Sequence, residues 1–96
     1  MPVLEPLTVA NQFPDYPLPT LPDTSGMRDC SWHNDTCPSF RKDDFIVWVD
    51  WPNDADRECP GGHRFIVCQL DNEGCLTEDP PVLETDDWAE VRAILF

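Results

Sequence analysis

Six of the chain's eleven prolines, Pro2, Pro6, Pro14, Pro17, Pro19 and Pro22, fall within the first 27 residues. Each removes a backbone donor and fixes φ, so no helix or strand of useful length is expected there, and residues 1–27 read as an extended, Pro-rich arm with polyproline character. The arm also carries Val3, Leu4, Leu7, Val9, Phe13, Tyr16, Leu18 and Leu21. That is too much apolar surface for a solvated tail, so the arm is expected to pack on its own domain or on a partner chain. Exchange of the arm between protomers would make a homodimer.

Residues 28–96 are left to form one acidic α+β domain, since 96 residues allow a single core. Residues 28–42 mix turn formers with isolated aromatics and read as an irregular loop. Phe45 to Trp51 is β-branched and aromatic throughout, and Arg64 to Leu70 is its expected antiparallel partner. Phe45, Val47, Val49 and Trp51 share one face of the first strand, while Ile46, Trp48 and Asp50 share the other. Apolar bulk on both faces suggests a sheet covered on both sides. Asp71 to Gly74 has the composition of a turn with Gly74 in the left-handed region, leading to a short third strand over residues 75–77. Trp88, Val91 and Leu95 recur at i, i+3 and i+7, which predicts a helix over 86–95 with Thr85 as its N-cap. The expected fold is a three-stranded antiparallel meander with a C-terminal helix packed on it and the arm wrapped around.

Charge restricts function. Nineteen acids against six bases give a formal charge of −13. Proteins that grip nucleic acid or anionic membranes do so with clustered Lys and Arg, so direct binding to either is not expected. No run of apolar residues is long enough to span a bilayer, and Met1 to Pro6 shows no basic stretch followed by an apolar one. A cytoplasmic location is the expectation.

The five cysteines are an odd number, and in a cytoplasmic setting thiols or a metal site are expected before disulfides. Cys30, His33 and Cys37, with Cys59 and His63 further on, offer soft and imidazole ligands at short spacing, which would suit structural zinc. That constellation defines a second reading, a zinc-stabilised interaction module whose partner is chosen by the arm. A nucleophilic Cys with a His base would use the same residues, but no nucleophile elbow or phosphate-binding loop accompanies them. No segment matches a calcium-binding loop. The chain is therefore read as a non-enzyme.

Residues 43–96 hold fourteen of the acids and only three bases, so the charge belongs to the folded elements. Acids spread evenly would confer solubility alone; acids gathered on a face could compete with nucleic acid for a basic groove. In size and charge the chain resembles phage-encoded DNA mimics, among them anti-CRISPR and antirestriction proteins, and the acidic immunity proteins that neutralise nuclease toxins. The resemblance lies in composition and carries no motif. It implies an inhibitor that binds a basic surface of a nucleic-acid-handling protein. The expected contact residues are Asp54, Asp56 and Glu58 of the long polar loop that the sequence places over residues 52–63, Asp71, Glu73, Glu78 and Asp79 around the hairpin, and Asp86 and Asp87 at the helix start. Trp51 is the expected aromatic anchor.

Overall fold

The computed structural model describes residues 8–57 and 61–96. Five strands, β1 (Arg28–Asp29), β2 (Ser39–Lys42), β3 (Phe45–Val49), β4 (Phe65–Gln69) and β5 (Leu83–Thr85), form one sheet in chain order. Every neighbouring pair is antiparallel, so the sheet is a simple meander. Helix α1 (Val9–Gln12) precedes it and helix α2 (Trp88–Leu95) follows it.

The sheet corrects the expectation of three strands. The central pair β3–β4 lies where the β-branched runs place it, with Val47 opposite Val67 and Trp48 opposite Ile66. The segment 28–42, expected as a loop, contributes β1 and β2, because Phe40 pairs with Val47 and enters the core while Arg41 and Lys42 stay half-buried. The expected strand over 75–77 shrinks to a single bridge between Leu70 and Leu76. The Asp71 carboxylate accepts from the backbone N–H of Glu73 (2.8 Å) and Cys75 (2.9 Å), and this curls the chain before a ladder can extend. Gly74 does take the positive φ, 80°, that the turn requires. The strand that pairs with β4 on this side is instead β5, which begins at Leu83.

The core face of the sheet carries Phe40, Val47, Val49, Phe65 and Val67, all buried. Helix α2 lays Val91 and Leu95 on it, and Trp88 meets the Phe65 ring edge-on at 5.0 Å. This is the stripe that the helical spacing anticipates. The helix starts two residues later than expected, because the Asp87 side chain accepts from the Ala89 N–H (3.0 Å) and caps it. Thr85 supports the cap from outside the helix. Its hydroxyl accepts from the Asp87 N–H and donates to Glu90.

The described part of the arm is not uniformly extended. Thr8 caps the single turn of α1, which fits between Pro6 and Pro14, and Leu18–Thr20 form a 3₁₀ turn. Val9, Phe13 and Tyr16 enter the same core as the sheet. Asp29 ties the two regions together by accepting from the Val9 N–H (2.9 Å) while also accepting from Ser31. No helix among the described residues is long and apolar enough to cross a membrane.

Candidate functional site

Strand direction decides where the acids go. Val49, Phe65 and Thr85 are register partners, so the end of β3, the start of β4 and the end of β5 lie at one end of the sheet. Asp54, Asp56, Asp86 and Asp87 belong to that end, and Asp15 of the arm joins Asp56 beside Trp51 in a shallow depression. Asp71, Glu73, Glu78 and Asp79 follow β4 at the opposite end, together with Asp43 and Asp44 of the β2–β3 turn. A five-residue strand is about 17 Å long. The expected contact residues therefore form two acidic ends and not one continuous face. Glu58 lies outside the described residues.

Among the described residues the bases leave most acids of these ends unpaired. Arg57 donates to the carbonyls of Trp51 (2.7 Å), Gly62 (2.8 Å) and Pro52 (3.3 Å). Arg64 reaches the Asp50 and Thr20 carbonyls and the Tyr16 hydroxyl. Arg92 donates to the carbonyls of Asp23 and Ser25 and lies over the Phe96 ring, which Lys42 also approaches. Arg41 donates to the Asp43 carbonyl, and Arg28 to the Cys30 sulfur. All six Lys and Arg side chains are thus engaged in intramolecular contacts, chiefly with backbone oxygens. Among the described residues only Lys42–Asp43 (2.8 Å) and Arg57–Asp54 (3.5 Å) pair a Lys or Arg with a carboxylate. Every described acid except Asp29, Asp35 and Asp50 is exposed.

Several of these carboxylates are held in their ionised form. The backbone N–H groups of Cys75 and Glu73 keep the Asp71 carboxyl below its usual range. The Arg64 N–H, with a smaller contribution from His63, does the same for Asp86, and Ser25 does so for Asp23.

Trp51 is occupied within the fold. It is half-buried, its indole N–H donates to the Thr36 carbonyl (3.0 Å), and its ring packs against Tyr16 and Phe13. The aromatic on the opposite face is Trp48. That second face of the sheet carries Ser39, Trp48, Ile66 and Glu84 in one row across β2 to β5. Contrary to the expectation of a sheet covered on both sides, this face floors a groove of about 550 Å³ with Trp48, Ile66 and Cys68 beneath and Asp35, Asp50 and Glu84 around it. Alternation in Phe45 to Trp51 marks the two faces; which one stays open depends on where α2 and the arm settle, and the strand pattern carries no signal for that.

The described zinc candidates do not gather as a set of three or more. Cys37 is buried and, with His63, borders the groove. His63 is exposed and pairs with Asp86 at 3.2 Å. His33 lies against Gln12 (2.7 Å) and the Trp32 ring, and the half-buried Cys30 receives Arg28. Cys59 lies outside the described residues. No group of three His, Cys, Asp or Glu side chains converges as a metal site among the described residues. No protein-family model, curated protein or solved structure matches the chain.

Proposed function

We propose that the protein is a non-enzymatic acidic inhibitor that occupies a basic surface of a nucleic-acid-handling protein, in the manner of DNA-mimic inhibitors. One observation carries this reading: all six bases are engaged by internal contacts, and most exposed carboxylates at both ends of the sheet have no Lys or Arg partner among the described residues. Bases satisfied on backbone carbonyls hold the fold together without pairing the acids, and every unneutralised carboxylate adds to the field that attracts a cationic groove.

Affinity capture tests it. The full chain, immobilised and exposed to a bacterial lysate at about 50 mM salt, where surface charges are weakly screened, is expected to retain basic nucleic-acid-handling proteins that added duplex DNA displaces. Retention of a set lacking such proteins, or retention that duplex DNA leaves intact, contradicts the proposal.

A further inference from the structure

The open groove combines an apolar floor with unneutralised carboxylates. Trp48 and Ile66 stand side by side in register, and Glu84 follows Ile66 on the next strand. Two strand spacings, about 10 Å, thus separate the Trp48 and Glu84 backbones. On the other side of Trp48 the register partner is Ser39, a small buried residue whose hydroxyl donates to the Cys30 carbonyl. Cys68 lines the groove together with Trp48 and Ile66. Asp35 and Glu84 have no ion-pair partner among the described residues. The Arg64 guanidinium at the rim is held by Tyr16, Thr20 and Asp50.

We propose that this groove receives an arginine side chain of the basic partner, with the guanidinium stacked on Trp48 and paired to Glu84 or Asp35. The inference rests on the reading of the protein as a binder of basic surfaces and names the residue that such a surface inserts. Arginine fits better than lysine for a physical reason. A planar, weakly hydrated guanidinium stacks on an indole and presents a fork to a carboxylate, whereas an ammonium is compact and strongly hydrated. The groove then supplies the central anchor that two acidic ends alone would lack, with the ends steering approach.

Titration of the ¹⁵N-labelled full chain with a short oligoarginine peptide at low salt, following the indole resonances, tests this. The Trp48 resonance is expected to shift saturably, with an oligolysine peptide of equal length binding there at least ~3-fold more weakly. The Glu84 side chain is exposed and has no hydrogen-bond or ion-pair partner among the described residues, so Glu84→Gln is expected to keep the fold. It is expected to weaken the Trp48 isotherm by about two- to fivefold, the range of an exposed ion pair. Glu73→Gln, at the opposite end, leaves that isotherm unchanged. Binding that leaves Trp48 unmoved, or that Glu84→Gln and Glu73→Gln weaken equally, overturns the groove and leaves the acidic-surface reading standing. Equal affinity for the two peptides overturns the choice of arginine. No binding of either peptide overturns both the groove and the reading beneath it.

Discussion

The Arg64 guanidinium donates to the Tyr16 hydroxyl at 2.8 Å, and through this contact the start of β4 holds the N-terminal arm. The hydroxyl in turn donates to the Asp50 carbonyl (2.9 Å), which Arg64 also reaches (3.1 Å), so three segments distant in sequence close on one oxygen.

Tyr16→Phe removes both hydroxyl contacts from a buried ring and is expected to cost about 1 kcal/mol, seen as a Tm lower by roughly 4–8 °C. Tyr16 is the chain's single tyrosine, so tyrosinate absorbance reports it alone. Burial pushes its phenol above the ordinary 10.0, with Arg64 opposing in part. Its folded pKa is raised, so its contribution to stability is complete below about pH 10 and is lost as pH rises through the folded value. Alkaline titration should therefore show tyrosinate appearing later in the native protein than in urea. Coincident midpoints would mean that the arm is not docked.

At the other end of the chain the start of α2 rests on two side chains. Asp87→Ala removes the cap on the Ala89 N–H and is expected to cost about 1 kcal/mol in thermal melts. Thr85→Val, at a buried site, leaves the Asp87 N–H and the Glu90 carboxylate without their shared hydroxyl and is expected to cost about 1–2 kcal/mol. A smaller effect for Thr85→Val than for Asp87→Ala contradicts this division of roles.

These two positions show where local pattern suffices and where it does not. The Trp88, Val91, Leu95 stripe and the β-branched runs of β3 and β4 are legible because their apolar spacing matches the period of the element they form. Ser39–Lys42 carries no such period and becomes a strand only because β3 lies beside it. Thr85 and Asp87 are both good capping residues, and tertiary placement decides between them. The same limit applies to the site: the acids are plain in the sequence, but their division between two ends follows from strand direction, and Trp48 is distinguished from Trp51 only by what the arm covers.

The excess of acid should be visible in stability. With so few ion pairs to weaken, added salt screens repulsion more than attraction, so Tm is expected to rise between about 20 and about 500 mM salt. Asp23, Asp71 and Asp86 have folded pKa values below the unfolded 3.8, so their stabilisation is present above that value and is lost as pH falls through the folded ones. Melts from about pH 2 to 7 should show the loss setting in below about pH 4, and Asp71→Asn should reduce it. A Tm that falls with added salt would contradict the picture of an unneutralised surface.

Competition for a basic surface is tested most directly by the affinity for the captured partner as a function of salt. Between about 50 and about 500 mM salt the Kd is expected to rise by at least ~100-fold, and combined neutralisation of Asp71, Glu73, Asp86 and Asp87 should flatten that dependence. A Kd unchanged across the same range contradicts electrostatic competition.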